Sequence, residues 1–161
     1  MPVVISDTSP VRALAHLEHL DWLRVLFGEI LVPPGVAAEL RNPSVSLTPM
    51  DVSAWPFLLV RAPSDLQRVS ELRSLLDAGE AEAIALAEEL HANLLLMDEL
   101  AGREVAAQCG LTVLGTLGIL VRAKRERLCP SVTPLLERLQ NEFNFFISSG
   151  VRDAILRQAG E

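Results

Sequence analysis

One stretch near the start of the chain reads Val3-Val4-Ile5-Ser6-Asp7-Thr8-Ser9-Pro10. In it, a short apolar, β-branched run is closed by the acid Asp7. A helical pattern begins directly after it. The same arrangement returns at Leu94-Leu95-Leu96-Met97-Asp98-Glu99, which is again typical of a buried strand followed by a helix. In open α/β sheets, ligands gather outside the carboxyl ends of the strands. The two acids therefore predict a shared acidic pocket at one edge of a sheet.

Strands and helices are predicted to alternate along the rest of the chain. The predicted strands are 2–6, 30–32, 57–61, 94–97 and 111–114. The predicted helices are 9–27, 33–41, 66–76, 79–91, 101–109, one that follows 115–118 and runs to about 127, 131–142 and 151–158. Residues 42–56, rich in Pro and Ser, and 143–147 are expected to be irregular or extended. This alternation favours the α/β class, with a parallel sheet of about five strands and right-handed crossovers.

Length and composition favour a single domain over residues 1–161, because 161 residues with 50% hydrophobic content can bury a sizeable core. The C-terminal helices from about residue 131 are expected to pack on that core or on a partner. No apolar stretch approaches the 18 or so residues that span a membrane. The N-terminus lacks a secretory pattern, and Cys109 and Cys129 lack metal-ligand spacing, so a cytoplasmic location is expected.

The charge of the chain limits its partners without excluding RNA. A net charge of −7 argues against a general nucleic-acid coat protein, which would carry a broad basic surface. Some of the 21 acids are expected in the site itself, so an RNA substrate stays open. The one dense basic segment, 122–127, could contact an RNA backbone, but a solvated helix end explains it at least as well.

Acids occur at four places that the predicted fold brings towards the same edge. These places are Asp7, Glu39, the cluster Asp77/Glu80/Glu82, and Asp98 with Glu99. Residues two apart on a helix do not share a face, so Glu80 and Glu82 cannot both point inward. Glu80 lines up with apolar residues, so it is predicted to face inward and Glu82 to face solvent.

Each of these acids also has a purely structural interpretation. Asp77-Ala78-Gly79-Glu80 resembles a capping box, in which Asp77 caps the helix and Glu80 reaches back to it. Asp7 and Asp98 could each cap the helix that follows. Thr116 could orient a water or a phosphate, or cap the next helix. Arg103, one turn after Asp98, is a candidate phosphate contact.

Crowded carboxylates predict a divalent cation. Two carboxylates about 4 Å apart repel by roughly 4 kcal/mol at an effective dielectric near 20. Ligands that are all oxygen favour Mg²⁺ or Mn²⁺ over zinc. The expected reaction is attack of a metal-activated water on a phosphodiester.

The order of these motifs resembles the PIN domain. The resemblance rests on Val4–Ser9, Glu39, Gly79–Ala87, Leu95–Asp98 and Gly115–Gly118. Within that group the chain is most similar to a prokaryotic branch related to VapC-type toxins, and the similarity covers essentially the whole chain.

The resemblance implies a three-layer α/β/α fold with strand order 3-2-1-4-5. It also implies a Mg²⁺- or Mn²⁺-dependent endoribonuclease, often the toxin of a toxin–antitoxin pair and usually a homodimer, with RNA as substrate and a small antitoxin protein as partner. By position, Asp7, Glu39, Glu80 and Asp98 match the acidic residues of the family, which implies a catalytic role for all four, and Asp7, Glu80 and Asp98 are the expected metal ligands. Supporting or substrate-binding roles are predicted for five further residues of this sequence, Thr8, Ser9, Glu99, Arg103 and Thr116.

Two positions depart from the family pattern. Many relatives have Asp in place of Glu80, and many carry a further acid where this chain has Gly102-Arg103. Glu99 is a candidate to substitute for that acid. The departures keep open a second hypothesis, a catalytically weak or inactive PIN-like module that binds RNA or a partner protein. A phosphatase with a DxD motif is disfavoured, because Ser9 stands where its second Asp is needed.

Overall fold

The computed structural model describes residues 2–43 and 47–161. Residues 44–46, inside the stretch predicted to be irregular, lie outside the described residues. The rest of that stretch contains only a short 3₁₀ turn, Val52–Ala54.

The five strands form one parallel sheet. They are β1 (Val4–Ser6), β2 (Ile30–Val32), β3 (Leu58–Val60), β4 (Leu94–Leu96) and β5 (Val113–Leu114). Their spatial order is β3-β2-β1-β4-β5, and every neighbouring pair is parallel. In the central pair Ser6 lies opposite Leu96. The predicted fold class and strand order are confirmed, and the acids that follow β1 and β4 emerge from adjacent strands.

Helices cover both faces of the sheet. They are α1 (Thr8–His16), α2 (Asp21–Phe27), α3 (Pro34–Arg41), α4 (Leu66–Arg73), α5 (Ala78–Leu90), α6 (Leu100–Gln108), α7 (Thr116–Arg125), α8 (Thr133–Glu142) and α9 (Ser149–Gln158). Among the described residues, none of these helices combines the length and the apolar character needed to cross a membrane.

The core is divided by the sheet into two apolar clusters. Successive strand residues point to opposite faces. Val4 and Leu96 therefore join the cluster formed with α1, α2, α3, α7 and α8. Ile5 and Leu95 join the cluster formed with α4, α5 and α6. The sheet is thus buried on both sides, as a parallel sheet requires, and the polar side chains at its carboxyl edge are held on a rigid frame.

The predicted helix 9–27 is wrong as one continuous element. It is broken into α1 and α2 between Leu17 and Leu20, where Glu18 takes a left-handed conformation at φ 63°. The amide of His19 then donates to the carbonyl of Leu14 at 2.8 Å, closing the end of α1. Because Leu17 and Leu20 are both buried, the apolar spacing continues through the break and conceals it in the sequence.

The side chain of Glu161 joins three C-terminal helices. Its Oε1 accepts from the hydroxyls of Ser131 (2.7 Å) and Thr133 (2.6 Å) and from the Thr133 amide (3.1 Å). Its Oε2 accepts from the Val132 amide (2.7 Å) and from Lys124 Nζ (3.0 Å). Burial alone would raise the pKa of Glu161, but these hydrogen bonds lower it below its usual value. The carboxylate therefore ties α7 and the start of α8 to the end of α9.

Replacing this carboxylate should destabilise the protein in a pH-dependent way. We expect Glu161→Gln to lower the free energy of unfolding at pH 7 by about 1–2 kcal/mol, as for other hydrogen bonds to charged groups. A lowered folded-state pKa contributes stability above the unfolded pKa and loses it as the pH falls, so the difference should shrink below pH 4.5. Urea denaturation of the wild type and Glu161→Gln at pH 7 and below pH 4.5 checks this, with the exposed Glu29→Gln as control. The same difference in free energy of unfolding at both pH values would contradict the role of the carboxylate.

Candidate active site

Asp7 lies at the centre of the site, directly after β1. Its amide donates to the carbonyl of Leu96 at 2.9 Å, which continues the pairing of β1 with β4. Its side chain is 5% exposed, and Oδ1 has no hydrogen-bond partner, the one such buried side-chain atom in the described part of the chain. Asp7 occupies the N-cap position of α1, but its side chain makes no capping hydrogen bond to the helix.

Burial is the main cause of an unusual acidity at Asp7. Burial and the charges of Asp77, Glu39 and Asp98 together raise the pKa of the carboxyl to about 7, although a hydrogen bond from the Thr8 amide lowers it in part. A buried carboxylate without a partner is costly. Near neutral pH, Asp7 is therefore poised between holding a proton and accepting a cation.

Glu39 approaches Asp7 across Gly79. Glu39 lies on α3, is exposed, and accepts a hydrogen bond from the hydroxyl of Thr8. A Cβ placed on Gly79, in the first turn of α5, would lie 3.4 Å from Glu39 Oε2 and 3.5 Å from Asp7 Oδ1. The two carboxylate oxygens thus converge on the space that the missing side chain leaves open.

Asp98 is fixed by the start of α7. Its Oδ1 accepts from the amide of Thr116 at 2.7 Å and its Oδ2 from the hydroxyl of Thr116 at 2.6 Å. Asp98 therefore does not cap α6, and Thr116 does not cap its own helix, whose N-cap is Gly115. Because Thr116 is fully buried, its two donors hold the Asp98 carboxylate in one orientation.

Removing the Thr116 hydroxyl should impair the site without unfolding the protein. Thr116→Val keeps the shape and the amide bond but leaves Asp98 Oδ2 without its donor. By analogy with hydrogen bonds that orient metal ligands, we expect about a 10- to 100-fold loss of Mn²⁺ affinity or activity. Thr116→Ser, which retains the hydroxyl, should have a Mn²⁺ affinity within a few-fold of the wild type. Calorimetry measures the affinity of both variants, and equal losses of affinity in the two would contradict this role of the hydroxyl.

Glu80 is buried, as predicted, but its carboxylate lies against α6. Oε2 would lie 2.6 Å from a Cβ on Gly102, and the Glu80 amide donates to Asp77 Oδ1 at 2.9 Å. Burial and the neighbouring Asp77 carboxyl raise the pKa of Glu80. The two departures from the family pattern are therefore coupled in space, because the carboxylate of the longer acid at position 80 fills the space left by the glycine at 102.

Asp77 and Glu82 differ in part from the expectations. The capping role of Asp77 is confirmed, and it also lines a cavity of about 320 Å³ together with Asp7 and Glu39. The prediction that Glu82 faces solvent holds only in part. Its side chain is partly buried, with the carboxylate against Gly35 where α3 packs on α5. That contact between the two helices, not the helix face alone, decides its direction.

The other predicted supporting residues surround the same edge. Ser9 and the exposed Glu99 line the cavity that holds Asp7. Arg103 donates from Nη1 to the carbonyl of Met97 at 3.4 Å. Both Arg103 Nη1 and Asp98 Oδ1 approach Gly115, at 2.5 Å and 3.0 Å from a Cβ placed there. Arg103 therefore lies beside Asp98, next to the strand end.

Arg12 supports the site, although this role was not predicted from the sequence. It is buried in α1, and its guanidinium donates to the carbonyls of Leu40 and Thr48, both at 2.9 Å. These bonds hold the end of α3, one residue after Glu39, and the chain that follows it. The signal in the sequence was a single charge inside the apolar run 10–14, where a charge requires a buried partner.

The oxygen-rich donor set fits a hard divalent cation. Asp7 Oδ1 is buried without a partner, Glu39 converges on the same space, and Asp98 is fixed nearby. Carboxylates of this kind suit Mg²⁺ or Mn²⁺. Over residues 2–43 and 47–161, however, no three His, Cys, Asp or Glu side chains are already grouped so that they could hold an ion.

Comparison with known proteins identifies the family. No match was found among curated proteins. A family model described as DUF3368, PIN domain, matches residues 3–161, nearly the full length of the chain. PIN domains are generally nucleases, and these generally use divalent metals. The chain therefore belongs to the DUF3368 family of PIN domains.

Proposed function

We propose that this protein is a Mg²⁺- or Mn²⁺-dependent endoribonuclease that hydrolyses RNA phosphodiesters. The observation that carries the proposal is the buried Asp7 Oδ1, which has no hydrogen-bond partner and faces several other carboxylates. A protein interior rarely leaves such an atom unsatisfied without a functional reason. Membership of a nuclease family supports the same conclusion.

Asp7, Glu80 and Asp98 are the proposed ligands of the cation, and Glu39 is the fourth acid of the site. A bound divalent cation supplies charge neutralisation at a phosphodiester and a water of lowered pKa. Neighbouring residues of the chain hold the site carboxylates in place. Thr116 fixes Asp98 through both carboxylate oxygens, and Thr8 fixes Glu39. Without a cation, the Asp7 carboxyl, with its pKa of about 7, holds a proton through much of the neutral range.

A cleavage assay on single-stranded RNA tests this function. We expect cleavage in the presence of Mg²⁺ or Mn²⁺, its loss on adding EDTA, and its return when the metal is restored. Cleavage that is unaffected by EDTA would contradict the metal dependence. A folded protein that binds Mn²⁺ and RNA but cleaves none would contradict the enzymatic proposal.

A second candidate function is a PIN-like module that binds RNA or a partner protein without cutting. It is favoured by the direction of Glu80, whose carboxylate lies against Gly102, and by the lack of a ready three-residue ion site in the described residues. The two candidates differ in their response to Mn²⁺. A thermal midpoint that rises with Mn²⁺ supports the nuclease, whereas RNA binding with no Mn²⁺ response supports the module.

The toxin role, with a small antitoxin and a homodimer, is proposed from the similarity to VapC-type toxins. Expression of the chain alone should then slow growth of a bacterial host, and expression of Asp98→Asn should not. A small adjacent reading frame that restores growth when co-expressed would identify the antitoxin. Normal growth with abundant folded wild-type protein would contradict this role.

A further inference from the structure

Phe146 is the most exposed large apolar side chain among the described residues, at 89%. The backbone on both sides of it is fixed. Asn144 turns the chain at φ 52°, the Phe145 amide donates to the Leu139 carbonyl at 3.0 Å, and Ile147 is buried. The fold therefore presents an aromatic ring to solvent from an anchored position, at the cost of leaving its apolar surface exposed.

The ring lines a cavity that also contains site acids. This cavity, of about 350 Å³, is lined by Ser9, Asp98 and Glu99 together with Leu100 and the segment 143–146. We call it the side cavity. It adjoins the cavity around Asp7, because Ser9, Glu99 and Phe143 line both. A ligand bound at Asp7 that extends past these shared residues would reach the side cavity.

The lining of the side cavity is part acidic and part apolar, and this favours some kinds of ligand over others. An apolar side chain of a partner protein would cover Phe146 and Leu100 but would also remove Asp98 and Glu99 from water without a compensating charge, which is unfavourable. A nucleotide carries a phosphate, which reaches carboxylates through a divalent cation, and a flat base that stacks on an aromatic ring. The side cavity offers carboxylates for the cation-bound phosphate and, next to them, an aromatic ring for the base.

We propose that Phe146 stacks on a nucleobase adjacent to the phosphodiester held at the acidic site, with Leu100 extending the apolar wall. This inference rests on the proposed ribonuclease function and adds a substrate-binding residue to it. Base–aromatic stacking is sequence-tolerant, because every base has a π-face. Phe146 therefore contributes affinity and position without selecting one base.

Substitutions at Phe146 separate stacking from simple hydrophobic contact. Phe146→Leu keeps an apolar side chain but removes the aromatic face, so RNA binding should weaken roughly 5- to 150-fold, the value of one lost stack. Phe146→Trp should bind as well as the wild type. Leu66→Ala is the matched control, because Leu66 is 73% exposed and lines neither cavity.

The experiment uses the full chain with Mn²⁺ and short single-stranded oligoribonucleotides that carry 2-aminopurine at successive positions. Stopped-flow fluorescence and anisotropy, recorded before cleavage, give base stacking and the dissociation constant. We expect the fluorescence of 2-aminopurine at one position to be quenched by the wild type and by Phe146→Trp, and not by Phe146→Leu. Circular dichroism should show unchanged folding, because the ring is exposed.

The other outcomes are distinguishable. Equal binding and quenching by wild type and Phe146→Leu would overturn the inference and leave the ribonuclease function standing. A wild type that binds no oligonucleotide would overturn both. If Phe146→Leu instead dissociates a wild-type dimer in sedimentation while RNA binding is unchanged, the ring belongs to a contact between copies and the inference is overturned.

Discussion

Asp98→Asn is expected to reduce RNA cleavage at least about 100-fold at saturating Mg²⁺ or Mn²⁺, a larger effect than loss of a residue that only orients a ligand. The substitution removes one negative charge from the proposed cation site at nearly constant volume. The side-chain oxygen can still accept from the Thr116 amide, so the chain around the site should keep its conformation. The loss is therefore expected in activity and Mn²⁺ binding, not in folding.

Glu104→Gln is the control for Asp98→Asn. Glu104 lies on α6, is exposed, and lines neither the cavity around Asp7 nor the side cavity. Its cleavage rate should match that of the wild type. Full activity in Asp98→Asn would remove Asp98 from the site, and an equal loss in both variants would point to a general effect of charge.

Asp7→Asn is expected to stabilise the metal-free protein at pH 8 while abolishing activity. The folded-state pKa of Asp7, about 7, lies above the ordinary value of 3.8. A raised pKa of an acid means that the folded state binds the proton more tightly than the unfolded state. The wild type therefore loses stability as the pH rises from about 4 to about 7, by at most about 4 kcal/mol.

The asparagine variant carries no charge at this position, so it should not lose that stability. Its free energy of unfolding, measured in urea with EDTA, should exceed that of the wild type at pH 8, and the gain should be much smaller at pH 4. Asp153→Asn, an exposed change on α9, should show no such pH-dependent difference. A variant that is less stable than the wild type at pH 8 would contradict a buried, unsatisfied carboxylate at Asp7.

The positions of the main acids could be predicted because strand ends are readable in the sequence. The apolar runs before Asp7 and Asp98 fix where β1 and β4 end, and parallel pairing then brings both residues to one edge. The inward placement of Glu80 followed from its helix face in the same way. These inferences depend only on local pattern and sheet topology.

Other features depend on contacts between elements that are distant in sequence. Glu80 reaches Gly102 and Glu82 reaches Gly35, and neither contact has a local signal. The break at Glu18 was hidden because the apolar spacing continued through it. The two Thr116–Asp98 hydrogen bonds were not predicted, because the sequence indicated for Thr116 only a contact with a water or phosphate or a cap of the next helix.

Calorimetric titration of Mn²⁺ into the wild type and Asp7→Asn measures the proposed cation site independently of any RNA. We expect saturable binding by the wild type, and binding at least about 100-fold weaker in Asp7→Asn although that variant is folded. Equal binding by the two proteins, or no binding by a folded wild type, would contradict a cation site built around Asp7.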